Sequence, residues 1–261
     1  MSQPLNPYAA PQNAETLLPD FTGKIVPPAC PYQSAQGKTT ALLLITAATI
    51  LLDLVLCASF AMQWKMLRDA QEAGFVSDEE AQSNDRRQQA ISIVMLVVMI
   101  VCLIALLVWL YAVHANLPAL GATALDFTPG WAVGWFFVPI ANLVKPYQAV
   151  CEVWKNSDPA LLANALTAST AVVGWWWGLR IVSAISGRIF QFSANDSTTI
   201  EQLMTVSVIA ILLTLLIDVP MFVCQLLLVR KVQHMQNQRH EIVQQQERLA
   251  PQPAGPWTAL S

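Results

Sequence analysis

Three ionisable residues stand inside long apolar runs: Asp53, Arg180 and Asp218. A charge at the centre of a membrane helix opposes insertion by roughly 2.5–3.5 kcal/mol. Two carboxylates and a guanidinium that face one another remove most of that cost and leave one negative charge over. Two readings follow. One is a structural ion pair that sets helix register; the other is a proton or cation site. Thr46, Thr49, Asp53 and Cys57 recur on one helical face. So do Ser207, Thr214, Asp218 and Gln225, together with Ile211 and Met221. Trp176 precedes Arg180 by one turn and Ser183 follows it, a spacing that allows a cation–π contact. Thr49, Thr214 and Trp176 therefore complete the candidate intramembrane cluster. Pro220 has no N–H, so it frees the Leu216 carbonyl beside Asp218 and predicts a kink there.

The elements that must position these residues are set by composition. Of 261 residues, 55% are hydrophobic and 12% charged. A soluble domain carries about 25% charge. The mean hydropathy is +0.47 and the net charge −3. That combination argues against a soluble enzyme, a disordered regulator and a basic nucleic-acid binder. Four runs reach the length of about 20 residues that a membrane helix needs. They cover about 39–63, 90–113, 167–190 and 204–229. In lipid each must satisfy its own backbone, so each is a helix. The second run lacks a polar stripe and is expected to be the most lipid-exposed.

A fifth apolar stretch, Trp131 to Val144, is too short for a comfortable span and is broken by Pro139 and Asn142. Thr128-Pro129 reads as an N-cap with proline at the first helical position, and Lys145-Pro146 opens a second short helix. Residues 129–155 thus read as two half-helices that re-enter the membrane or lie in its interface, with the break marked by Pro139, Asn142 and Pro146. Between the first two spans, Ser77 with Asp78, Glu79 and Glu80 is a helix start, and the preceding helix should run to about Gly74. Residues 1–38 hold seven of the 16 prolines and read as a disordered cytoplasmic tail. Residues 231–261 read as a polar helix and tail. There Val232, Met235, Ile242 and Leu249 fall near heptad spacing, but Arg239 and Gln246 interrupt a coiled-coil seam. Gly174/Gly178 and Gly130/Gly134 permit close helix approach.

With both termini in the cytoplasm, four spans put eight basic residues inside and five outside. A five-span alternative with the N-terminus outside puts ten inside and three outside, but requires Trp131–Val144 to cross fully. The five cysteines form no C-x-x-C pair. No metal, nucleotide or hydrolase motif is present. No cofactor, catalytic residue or nucleic-acid partner is expected.

The stretch from Trp109 to Pro159 carries Trp109-Leu110, Asn116, Leu120-Gly121, Phe127-Thr128-Pro129, Gly130-Trp131, Trp135-Phe136-Phe137, Pro139-Ile140, Asn142-Leu143, Pro146, Trp154 and Ser157-Asp158-Pro159. It resembles the bacterial membrane proteins grouped as domain of unknown function 4328. The likeness extends less sharply over roughly residues 40 to 230. The resemblance implies a multi-pass bacterial membrane protein and brings no activity or substrate with it. The expected fold is an all-α membrane protein of four transmembrane helices plus a re-entrant or interfacial helical hairpin. The expected role is a non-enzymatic binding, sensing or accessory component of the bacterial cytoplasmic membrane. Its partners would be the lipid bilayer and a second copy or another membrane protein. The alternative is a small transporter or channel using Asp53, Arg180 and Asp218.

Overall fold

The computed structural model describes residues 31–163, 169–195 and 199–249. The first 30 residues and those from 250 onward, which hold most of the two expected tails, lie outside them. Among the described residues every regular element is helical: α1 (Gln36–Ala73), α2 (Asp78–Ala115), α3 (Pro129–Gly134), α4 (Lys145–Ser157), α5 (Ala171–Asn195), α6 (Ile200–Leu213) and α7 (Val219–Leu249). Short 3-10 turns link α2 to α3, α3 to α4 and α4 to α5.

Local chemistry explains the boundaries. Gly74 ends α1 in the left-handed region at φ 82°, and its N–H bonds the Ala70 carbonyl at 2.9 Å. Only glycine adopts that conformation without strain. Ser77 starts α2 by accepting the Glu80 N–H at 3.2 Å, and three acids in the first turn complement the helix dipole. Thr199 and Gln202 form a reciprocal capping box at the start of α6. These turns agree with the expected break between the first two helices.

Among the described residues three helices are long and apolar enough to cross a membrane: Gln36–Ala73, Asp78–Ala115 and the continuous run Ile200–Gln246. The 38 residues of α1 make it about 57 Å long, well beyond a hydrocarbon core of about 30 Å. Of the three, α2 has the smallest buried share in its apolar window, 17%, as its missing polar stripe implies. Helix α5 has 25 residues, but Arg180, Arg188 and three tryptophans lower its hydropathy, so it is not among the three.

Helix α1 packs on α2, α6 and α7, and α5 runs antiparallel beside α6 and α7. Trp176 meets Gln225, Ser183 meets Asp218, and Phe190 meets Phe60 along its length. The α1–α2 turn marks the top of the bundle. The base is where α1 starts and α7 ends. Most of the buried core gathers there, around Leu42, Trp109, Leu110, Val113, Leu117, Val153, Trp176, Val229 and Val232.

Three expectations need correction at the base. The end of the proline-rich segment is not tail. Tyr32 stacks on His240 at 4.0 Å, Asn116 clasps the Gln33 backbone with two hydrogen bonds, and helix starts at Gln36. The stretch after residue 230 forms the helix expected there, but that helix is not polar all round. It continues α7, and Val232, Met235, Gln236 and Arg239 form its buried face. Finally, a Cβ added at Gly174 or Gly178 would meet nothing within 4 Å, so neither brings helices together within this chain. At Gly134 the missing side chain makes room for the Trp131 indole of its own helix, 3.3 Å away.

Candidate functional site

Two buried polar regions stand out. The first holds the residues singled out by their position in apolar runs. Asp53 is 3% exposed, and Thr46 and Thr49 beneath it are fully buried. Thr49 is satisfied within its own helix by the Ile45 carbonyl at 2.9 Å. Thr46 donates to Leu42 and accepts from Gln225 at 2.9 Å. The Asp218 carboxylate accepts from the Ser183 hydroxyl at 2.6 Å. It lies within electrostatic reach of Asp53, and Cys57, within reach of both, meets Thr214. One oxygen of Asp53, Oδ2, is buried with no hydrogen-bond partner.

The backbone at Asp218 is unusual. Residues Thr214–Asp218 form a π-helical turn, and the Val219 N–H bonds the Thr214 carbonyl five residues back. The proline ring of Pro220 would clash with the carbonyl four residues before it, and widening the preceding turn relieves that clash. The expected kink is therefore realised as a π turn that ends on the carboxylate.

Arg180 does not join the aspartates. Among the described residues no salt bridge joins Arg180 to a carboxylate. At about 100° per residue, Arg180 and Ser183 diverge by about 60° around α5. That angle is enough to send Ser183 to Asp218 and Arg180 to the other side. Arg180 lines a separate cavity of about 330 Å³ with Leu103, Phe136, Asn142 and Trp177. Trp176 makes no cation–π contact with it. Its indole N–H is used by Gln225 at 3.2 Å.

The second region lies at the base. The half-helices form as their capping residues imply: Thr128 accepts the Trp131 N–H at 3.3 Å, and Pro146 sits in the first turn of α4. At the break, Ile140 has φ 66° and the Ala141 N–H bonds the Pro139 carbonyl at 2.7 Å. This is the γ-turn of positive φ, a strained form, and here it carries a β-branched residue. Pro139 and Asn142 flank it, and Asn142 N–H closes back on Val138. The turn leaves Phe137, Ile140, Leu143 and Val144 exposed, Ile140 by 83%. Trp177 anchors this tip by donating to the Leu143 carbonyl at 2.8 Å.

Beside α3 and α4 opens the largest of the described cavities, about 890 Å³. Trp131, Trp135, Lys145, Lys155, Asp126 and Glu152 are among the residues that line it. The Lys145 ammonium lies over two aromatic faces, 5.7 Å from the Phe127 ring centre and 5.9 Å from that of Trp135. Burial pushes the Cys151 thiol above its ordinary pKa, so it faces the cavity as a protonated thiol rather than a nucleophile. Among the described residues no group of three or more His, Cys, Asp or Glu is placed to hold a metal ion.

The wall of this cavity is braced from behind. Glu152 meets His114 Nε2 at 2.9 Å with one oxygen and the Asp126 backbone N–H with the other. Arg239 is 1% exposed, and its guanidinium donates to the carbonyls of Leu120, Asn156 and Asp158. Gln236 ties Val113 to Ser157. Reading motifs missed all of these. A signal was present: His114 continues the stripe Leu107, Leu110, Leu117, and Glu152 falls one turn after buried Ala149. A polar residue on an apolar helical face needs a partner.

The comparisons place this region in a family. The model of a domain of unknown function (DUF4328) matches residues 72–234. No curated protein and no solved structure gives a match. The match starts later than the expected 40 and so excludes Asp53, whereas the whole lining of the base cavity, from Ala124 to Thr170, lies within it. With well over half of its length matched, the chain belongs to the DUF4328 family.

Proposed function

We propose that this is a multi-pass protein of the bacterial cytoplasmic membrane that acts as a non-enzymatic binding or sensing component, with its ligand site in the base cavity. The observation that carries this reading is the cavity itself. It is about 890 Å³, walled by tryptophans and lysines and held open by buried hydrogen bonds. Ligand sites are concave, largely pre-formed and lined by aromatic groups with a few placed charges. We read α5 as a fourth span, since it runs antiparallel to the apolar α6–α7 for its full length. We read the α3–α4 tip as re-entrant. Leu143 meets Trp177 near the level of Thr46, on the order of 10 Å above Thr39 along α1. Both termini are then cytoplasmic, and the bilayer is the first partner, beside a second copy or another membrane protein. Reporters fused before residue 1 and after residue 261 should both read as cytoplasmic; opposite sides would remove the fourth span. Trp135→Ala should abolish the cellular phenotype of the gene while leaving the protein folded and inserted. An unchanged phenotype would remove the cavity from the function.

A second reading is a proton or cation site at Asp53 and Asp218. Its specific support is the partnerless Asp53 oxygen next to a π turn, a feature frequent at functional sites. Proteoliposomes loaded with a pH-sensitive dye test it. A flux lost in both Asp53→Asn and Asp218→Asn supports transport, and no flux in the unaltered protein removes it.

A further inference from the structure

The tip and the cavity next to it sit at different depths, and that difference identifies a ligand chemistry. The tip, Phe137 to Val144, exposes the apolar side chains of Phe137, Ile140, Leu143 and Val144. Lys145 follows it immediately, where a chain leaving hydrocarbon reaches the headgroup layer. Its ammonium is fixed by the Phe127 and Trp135 rings and takes part in no ion pair among the described residues. Gln148, one turn further along α4, also lines the cavity and adds a hydrogen-bonding amide. Glu152 is occupied by His114 and the Asp126 N–H, which leaves the exposed Asp126 carboxylate against the ammoniums of Lys145 and Lys155. The cavity thus offers a positioned cation, a neutral donor and indole walls at headgroup depth.

Resting on the cavity reading above, we propose that this pocket binds a phosphate ester, presented by the headgroup of a membrane phospholipid. Lys145 holds the phosphate. Trp131 and Trp135 flank the ester's carbon chain. Lys155, about ten residues further along α4 and so about 15 Å away, attracts the anion rather than grips it. A soluble phosphate ester would offer the same charge but no acyl chain to lie along the exposed tip.

The full-length protein in maltoside detergent is titrated with dioleoyl phosphatidylglycerol and read by native mass spectrometry. Parallel arms use a diglucosyl diacylglycerol with the same chains and sn-glycerol 3-phosphate. One phospholipid should bind per chain, with the glycolipid bound at least tenfold more weakly. Lys145→Gln should weaken phospholipid binding about tenfold or more and Lys155→Gln by less, since a hydrogen bond to a charged group is worth at least a factor of ten. Lys145→Arg should restore binding, which a merely misfolded variant would not. Equal binding of glycolipid and phospholipid, or an unaffected Lys145→Gln, would overturn the phosphate. Saturation by sn-glycerol 3-phosphate at the same concentration as the lipid would overturn the membrane source. If Trp135→Ala removes a co-purifying molecule that carries no phosphate, the cavity reading stands and the phosphate inference falls. If none of the three probes binds and no co-purifying molecule depends on Trp135, both fall.

Discussion

Asp53 and Glu152 are both acids taken out of water, 3% and 9% exposed, and they differ in what meets them. Both oxygens of Glu152 are bonded, one to His114 and one to a backbone N–H. One oxygen of Asp53 has no hydrogen-bond partner. A satisfied buried carboxylate holds elements together, here the end of α2, the 126 loop and α4. An unsatisfied one adds little to stability and persists only where something else requires it. The base of the molecule is therefore a braced scaffold around a cavity, and the Asp53 level is a packed but polar seam.

The comparison can be broken by unfolding measurements on detergent-solubilised variants. The largest effect belongs to Arg239→Met, which keeps volume but takes the charged donor away from the carbonyls of Leu120, Asn156 and Asp158, of which the last still accepts the Leu161 N–H. We expect a loss of about 4 kcal/mol, seen as a large drop in thermal midpoint by circular dichroism. Next comes Glu152→Ala, which strands His114 and the Asp126 N–H. It should lose about 3 kcal/mol, and a double-mutant cycle with His114→Phe should show strong coupling. Gln225→Leu removes the bridge between Thr46 and Trp176 and should lose about 1 kcal/mol, the usual scale for hydrogen bonds between membrane helices. The smallest effect is Asp53→Asn, expected to change stability by under about 1 kcal/mol in either direction. A loss at Asp53 as large as that at Glu152 would end the distinction between the two regions.

Much of the architecture was legible from residue order. Ser77 and Gly74 mark the α1–α2 turn, and Thr128-Pro129 and Lys145-Pro146 mark the half-helices, because capping depends on neighbours within four residues. The polar stripe of α1 points inward as its spacing implies, with Thr46, Thr49 and Asp53 all buried. The partner of Arg180 was not legible. Helical spacing puts Trp176, Arg180 and Ser183 on one face, but a face is broad. Within it, Ser183 reaches Asp218 while Arg180 looks toward Asn142 and Leu103. The interrupted heptad after residue 230 was also misleading. Arg239 looks like an error in an apolar seam, yet three helix-end carbonyls receive it.

Sequence alone determined that this chain is helical and apolar enough for a membrane, since length, hydropathy and local caps act within one segment; it read four spans, and three of the described helices are long and apolar enough to cross. It also marked where the hairpin breaks. Tertiary structure decided which buried polar groups are satisfied. His114 meets Glu152 across 38 residues, and Arg239 meets Leu120 across 119. Such pairs depend on the rotation of one packed helix against another, by angles that spacing along a single helix does not resolve. The same rotations separated Arg180 from the aspartates and placed the cavity beside Lys145 rather than beside Asp53.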